Sequence, residues 1–366
     1  MGTMLKSMAK SPDTSKRPKV RGGAVHPRES VVFFRSYGFY SPVGKCWHLN
    51  IHGSIFAPTR RHIRKHVLLR LFKTIVKPEN DAQIKRRFRD RADLFLNVSK
   101  ANKSVPIAIA ENSVVLPKSA RNGHFTTTLT IPEDVLSPSI NTDEFGRQFI
   151  RFCAYLPEED ARMFSGAIEL IQPTGLSVIS DIDDTIKITN VADRRELLAN
   201  TFTREFQAVP GMCPIYQNLA RSGVSFHYVS SSPWPLYQPM VDWLDQDDFP
   251  IGSLHLRNMR LSELRRDWKR QRAFESKKIT IERLLRDFPH RHFVLCGDSG
   301  ERDTELYAEV AGNFGGQVHH IAIRYIENGH TNQTRDKISK TLKAIPDSRR
   351  TIFTSPEELP EFWPIK

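Results

Sequence analysis

Apolar and polar residues alternate most cleanly along Trp47-His48-Leu49-Asn50-Ile51-His52-Gly53-Ser54-Ile55-Phe56. A period of two over such a run predicts a strand with one buried face, here ended by Pro58. Val31-Val32-Phe33-Phe34 predicts a strand before it, and similar patterns recur at 105–109, 114–116, 124–131 and 149–155. Arg121-Asn122-Gly123-His124 has the composition of a hairpin turn. Strands at this spacing predict a small β-sandwich. Residues 60–96 interrupt them with apolar residues at helical spacing among many Lys and Arg, a basic helical insertion. Residues 166–175, with Pro173 inside, read as a junction.

Beyond the junction the pattern changes. Helices predicted at 192–206, 213–221, 236–244, 279–287 and 305–311 alternate with strands at 224–229, 252–256, 292–296 and 318–323. This alternation predicts an α/β domain, a parallel sheet with crossover helices. A polar helix over 331–342, a short strand at 351–353 and a helix start at Ser355 follow, with Glu357 and Glu358 in the first turn. The organisation expected is a disordered basic tail over 1–27, a β-rich domain over 28–172 and an α/β domain over 173–366.

The α/β part opens on Val178-Ile179-Ser180-Asp181-Ile182-Asp183-Asp184-Thr185-Ile186-Lys187, an apolar run leading into three acids and a threonine. Open parallel sheets bind ligands past the carboxyl ends of their strands. Asp181 and Asp183, two apart on a chain leaving a strand, both face one pocket. Carboxylates crowded in this way repel unless a cation is present, and a hard divalent ion such as Mg²⁺ suits oxygen ligands. Two other strand ends reach the same edge, one at Ser230-Ser231-Ser232 and one at Gly297-Asp298-Ser299-Gly300-Glu301-Arg302-Asp303. Between them Lys277-Lys278 lies just ahead of a predicted helix. His227, Trp234 and Tyr237 read as packing residues.

Composition narrows the partners. The 366 residues are 39% hydrophobic and 26% charged, with a net charge of +13. No run approaches the ~18 apolar residues of a spanning helix. The positive charge favours an anionic partner: a phosphorylated substrate, an acidic membrane surface met peripherally or, less favoured, nucleic acid. The basic stretch over 60–91 reads either as a membrane-surface helix or as a solvated face. Four scattered cysteines without a CxxC fit neither a zinc site nor a disulfide framework, and point to a reducing compartment. The N-terminus shows no secretory pattern, so the expected location is cytoplasmic. A mitochondrial address is the lesser alternative, since Pro12 and Pro18 interrupt any long amphipathic helix there.

The string from Ser180 to Lys187 resembles motif I, Asp-x-Asp-x-Thr, of the haloacid dehalogenase (HAD) phosphatases. A hydroxyl after a strand, a lysine and a Gly-Asp pair follow in that family's order. The longer string, with Pro210-Gly211-Met212, the stretch from Phe226 to Trp234, Phe288-Pro289 and Gly297-Asp298-Ser299-Gly300-Glu301, resembles one branch over about 177–324. That branch is the actin-patch-associated, Mg²⁺-dependent phosphatidate phosphatases of fungi and their bacterial relatives. The resemblance implies a HAD-like Rossmannoid sheet with Asp181 as nucleophile and Asp183 as general acid and base. It implies Mg²⁺ on Asp181, the carbonyl of Asp183 and Asp298. Phosphate would rest on Ser230 and Lys277, the latter preferred over Lys278 for its spacing to Ile281. Thr185 and Asp303 are supporting candidates, Asp303 alternatively as a helix cap. The expected reaction is hydrolysis of phosphatidate to diacylglycerol and phosphate through an aspartyl-phosphate. The alternatives are another phosphomonoester, such as a nucleic-acid end or a phosphoprotein, and a non-catalytic module for anionic membranes.

Overall fold

The computed structural model describes residues 25–59, 70, 81–157, 159–258, 269–327 and 335–359. The chain divides into two compact units, one of Met1–Lys65, Leu96–Pro173 and Gly252–Leu254, the other of His66–Phe95, Thr174–Ile251 and His255–Lys366. The tail expected over 1–27 falls almost wholly outside the described residues, as do 60–69 and 71–80 of the basic insertion and the start of the helix expected over 331–342.

The first unit is built on β1 (Ser30–Phe33), β2 (Ser36–Ser41), β3 (Cys46–Ala57), β4 (Val98–Ser99), β5 (Pro106–Ile109), β6 (Asn112–Val115), β7 (His124–Pro132), β8 (Asn141–Thr142), β9 (Gln148–Ala154) and β10 (Ser165–Ile171). These form one hydrogen-bonded sheet with the path β1-β3-β2-β10-β9-β5-β6; β4 and β7 join at β3, and β8 at β9. The expected sandwich is therefore a single sheet among the described residues. Its cause is the length of β3, which pairs with β2 over 46–49, with β1 over 53–56 and with β7 over 46–54. The alternation read in the sequence puts Trp47, Leu49, Ile51 and Ile55 of β3 into one core with Ile107, Ile150 and Ile168. The turn at 121–124 does not join a hairpin, because β6 pairs with β5 while the longer β7 pairs with β3. Of the junction expected over 166–175, residues up to Ile171 belong to β10, parallel to β2 and antiparallel to β9, and the boundary between the two units falls after Pro173.

The second unit contains α1 (Ala82–Leu94), β11 (Leu176–Ser180), α2 (Arg194–Phe202), α3 (Met212–Arg221), β12 (Ser225–Pro233), α4 (Tyr237–Gln246), β13 (Ser253–Arg257, its first two residues falling to the first unit), α5 (Lys269–Asp287), β14 (His292–Asp298), α6 (Asp303–Asn313), β15 (Val318–Arg324), α7 (Arg335–Thr341) and β16 (Arg350–Phe353). The strand order is β13-β12-β11-β14-β15-β16. β11 runs parallel to β12 and β14, β14 to β15, and β15 to β16. All five residues of β11 are buried, as befits a central strand covered on both faces. Buried Arg291 ties the strand starts together, its Nε donating to Ser177 Oγ at 2.7 Å and its Nη2 to the Leu176 carbonyl at 2.5 Å. His227, Trp234 and Tyr237 are buried.

Two boundaries differ from expectation. β12 continues to Pro233, so the three serines stand on the strand itself. α5 begins at Lys269, so Lys277 lies inside the helix and the helical phase sets its direction. Lys269-Arg270-Gln271-Arg272 shows no apolar period, which is why the start was not visible.

α1 carries the described part of the basic insertion. Asp81 caps it, accepting from the N–H groups of Gln83 at 2.7 Å and Ile84 at 2.9 Å, an interaction worth about 1 kcal/mol. Two of its arginines are tied to the end of α2. Arg87 donates to the Thr203 carbonyl at 2.9 Å and pairs with Glu205, and Arg91 donates to the carbonyls of Thr201 and Arg204, both at 2.8 Å. Lys85, Arg86 and Arg89 are exposed.

Candidate active site

The site starts where β11 ends. The Asp181 N–H donates to the Cys296 carbonyl at 2.8 Å, carrying the ladder one residue past the strand and fixing Asp181 beside β14. The chain then turns tightly over the Ile182 carbonyl, which accepts from Ile186 at 3.1 Å and Lys187 at 2.9 Å. Asp184, at φ 59°, occupies the left-handed region. Its carboxylate gathers the N–H groups of Thr189 (2.8 Å), Asn190 (2.7 Å) and Val191 (2.6 Å), and Arg324 donates to its carbonyl at 2.6 Å. The third acid of the run thus holds the loop, and the first two are left to face the pocket.

Asp181 is 1% exposed. Its Oδ1 is 2.7 Å from Lys277 Nζ, and its Oδ2 accepts from Thr185 Oγ1 at 3.3 Å. Lys277 also reaches Glu301 Oε2 and Asp303 Oδ1, each at 2.9 Å. Its neighbour Lys278 points away and pairs with Glu309. Asp298, the last residue of β14, accepts through Oδ1 from the N–H groups of Gly300 and Glu301 at 2.5 and 3.1 Å. Its Oδ2 is buried without a partner, and so is Oδ2 of Asp303. Asp303 opens α6 but makes no cap; the cap position belongs to Arg302.

Asp181, Asp298 and Asp303 each offer one oxygen, all within 4.8 Å of one another. Burial pushes the Asp181 carboxyl well above the usual range; Lys277 opposes this, and the neighbouring acids reinforce it. Burial, then Asp303 and Glu301, raise Asp298 in the same direction, and burial also raises Asp303. Three buried hard-oxygen donors with two orphaned oxygens among them fit a divalent cation. To the expected side chains of Asp181 and Asp298 the cluster adds Asp303, while Asp183, expected to contribute its carbonyl, turns its side chain elsewhere.

Asp183 instead faces Lys187, whose Nζ is 2.7 Å from Oδ1. Thr189 donates to Oδ1 at 2.8 Å, and Ser230 and Ser232 donate to Oδ2 at 2.9 and 2.7 Å. Burial raises this carboxyl, but Lys187 and the hydroxyls outweigh burial and leave it below the usual carboxylate range. Ser230 therefore reaches the site at Asp183. Lys187, Thr189, Ser232 and Glu301 were not singled out by sequence reasoning. The available signal for Lys187 was a charge set between Ile186 and Ile188, four residues after Asp183.

Gly297 precedes the metal-ligand candidate Asp298. A Cβ there would meet Asp303 Oδ2 at 2.6 Å and Tyr307 Cε2 at 2.8 Å. Gly297→Ala is expected to push α6 and Asp303 away from the cluster, at a cost of about 1–3 kcal/mol for overpacking. A thermal melt with and without Mg²⁺ checks it: the variant melts lower and gains less from the ion than the unaltered protein.

Residues 176–325 match the family "Phosphatidate phosphatase APP1, catalytic domain". Phosphatidate phosphatase APP1 of Saccharomyces cerevisiae is 35% identical over 166 residues, 43% of this chain and 27% of that one. An uncharacterized protein of Schizosaccharomyces pombe is 26% identical over 196 residues, 52% of this chain and 31% of that one. The chain thus spans less than a third of the length of these curated relatives. A solved ferredoxin-NADP⁺ reductase from Plasmodium falciparum aligns over 82% of this chain and 96% of its own at 6% identity and a TM-score of 0.19, which carries no argument. Over residues 176–325, the chain is thus similar to the catalytic domain of the APP1-type phosphatidate phosphatases.

Proposed function

We propose that the protein is a Mg²⁺-dependent phosphatidate phosphatase of HAD type, releasing diacylglycerol and phosphate through an aspartyl-phosphate. The observation that carries this reading is the convergence of Asp181, Lys277, Asp298 and Asp303 in one buried cluster, inside the segment that matches the family. Asp181 Oδ attacks phosphorus while the ester oxygen departs, which splits a very slow hydrolysis into two transfers. Lys277 and Ser230 hold phosphate oxygens. Asp183 passes a proton to the departing oxygen, with the Lys187 ammonium within reach as its source. As a carboxylate it then takes a proton from the water that cleaves the acyl phosphate. Asp181, Asp298 and Asp303, with the Asp183 carbonyl, would hold the metal. When bound, Mg²⁺ shields the phosphate dianion from the attacking carboxylate. Exposed Lys85, Arg86 and Arg89 of α1 support docking on an anionic membrane surface.

Phosphate release from phosphatidate, an oligonucleotide phosphate and a phosphopeptide tests the reading. Turnover is expected on phosphatidate, silenced by EDTA and restored by Mg²⁺. Ca²⁺, which takes more ligands at longer distances, is not expected to restore it. Full activity in excess EDTA, or preference for the oligonucleotide or the peptide, would refute it.

A further inference from the structure

A cavity of about 290 Å³ opens beside Asp183 and Lys277. Leu197, Leu198 and Phe202 of α2 form one wall, and Phe95, Leu236 and Phe274 are among the rest of its apolar lining. Phe95 lies against Phe202, ring centroids 5.4 Å apart, so aromatic rings close the wall. Polar side chains also line it: Asp183, Lys277, Glu301 and Asp303 at the end beside the acid cluster, and Arg257. The remaining ones are engaged elsewhere. The Thr201 hydroxyl donates to the Leu197 carbonyl at 2.6 Å, Ser232 to Asp183 and Ser231 to Glu301, while the Arg302 guanidinium lies 4.3 Å over the Phe274 ring. Against the apolar part of this lining a nucleobase or a peptide would lose its hydrogen bonds, and a hydrocarbon would not. The space opens beside the residues assigned above to the reaction, so on that assignment its occupant is the leaving group.

We propose that this cavity takes a single hydrocarbon chain of the leaving group, one acyl chain of the lipid drawn out of its bilayer. The inference rests on the phosphatidate reading above. The volume lies just below the roughly 300–1,000 Å³ of small-molecule sites, which suits one chain better than two. Leu197 sits where the chain runs, and makes the site selective for its length.

The test is a series of soluble alkyl phosphates from ethyl to dodecyl, with Mg²⁺ present and kcat/KM as the readout. Burial of each methylene is worth about 0.8 kcal/mol, so kcat/KM is expected to rise about fourfold per carbon and then level off. Leu197→Trp shortens the chain at which it levels, lowering the decyl-to-ethyl ratio by at least about tenfold, and Leu197→Ala moves the plateau to longer chains. If the Trp variant does not fold, the Ala variant carries the comparison. Short-chain lysophosphatidate and phosphatidate should differ by less than about threefold, since the second chain stays outside. A flat series with phosphatidate turnover intact overturns the cavity assignment alone, as does an unmoved plateau in the variants. A preparation that turns over p-nitrophenyl phosphate but no chain-bearing ester overturns the phosphatidate reading with it.

Discussion

Asp181→Asn is expected to abolish phosphate release, by at least about 10⁴-fold, while the fold persists. Removing a catalytic nucleophile costs on the order of 10⁶ where it has been isolated, and an amide oxygen is a far poorer nucleophile than a carboxylate. The fold survives because burial disfavours the Asp181 charge in the first place, and a neutral, nearly isosteric amide relieves that penalty. Lys277 keeps Glu301 and Asp303, each at 2.9 Å, so it is not stranded. The variant should therefore melt within about 1 kcal/mol of the unaltered protein, or above it. Phosphate release and a thermal scan on the same preparation decide the point. Residual turnover within about tenfold, after contaminating phosphatase is excluded, would be incompatible with Asp181 as the attacking group.

Lys277→Met is expected to cost both activity and stability. Loss of one preorganised donor to a reacting anion lowers kcat by about 10²–10³. In the fold, Asp181 and Asp303 would remain buried with no ammonium between them, and breaking a buried ion pair from one side costs about 3–5 kcal/mol. The carboxyls respond by taking up protons. Their folded pKa values already lie above the unfolded carboxylate range, so the folded state binds protons that the unfolded state does not. The sign follows: stability of the variant rises as pH falls from neutrality toward about 4, and falls again as pH rises. Mg²⁺ should raise the variant's melting temperature more than the parent's, because it meets an uncompensated cluster. A variant that melts like the parent and is indifferent to pH and Mg²⁺ would show that Lys277 does not hold these acids together.

The candidate site was legible because its signals are local. An apolar run ending in Asp181-Ile182-Asp183-Asp184-Thr185 marks a strand and its acids in one stretch, and β11 and β14 were each visible as short buried runs. Asp303, adjacent in sequence to that second strand end, could be seen as a candidate but not assigned between ligand and cap. The cap position is held by Arg302, and the orphaned oxygen of Asp303 favours the ligand reading, both matters of geometry. β10 was obscured because Gly166 and Glu169 interrupt its apolar pattern, and its parallel partner β2 lies far away in the chain. The position of Lys277 within α5 was hidden for the reason already given: the amino-terminal half of that helix has no apolar period. The cavity left no trace in the sequence, since its walls come from segments around 95, 197–202, 236 and 274. No window of a single helix or strand contains them together.

The arginines of α1 bear on how the molecule assembles. α2 has nine residues, too few to persist as a helix by itself. Carbonyls at and just beyond its carboxyl end are satisfied by Arg87 and Arg91, which lie 110 to 116 positions earlier in the chain. That closure is non-local, so α2 is consolidated only after α1 has docked, and it belongs among the last segments to become protected during folding. In the finished protein the wall of the cavity is thus held at its carboxyl end from a distant part of the chain, and shortening Arg87 and Arg91 together is expected to speed hydrogen exchange in α2.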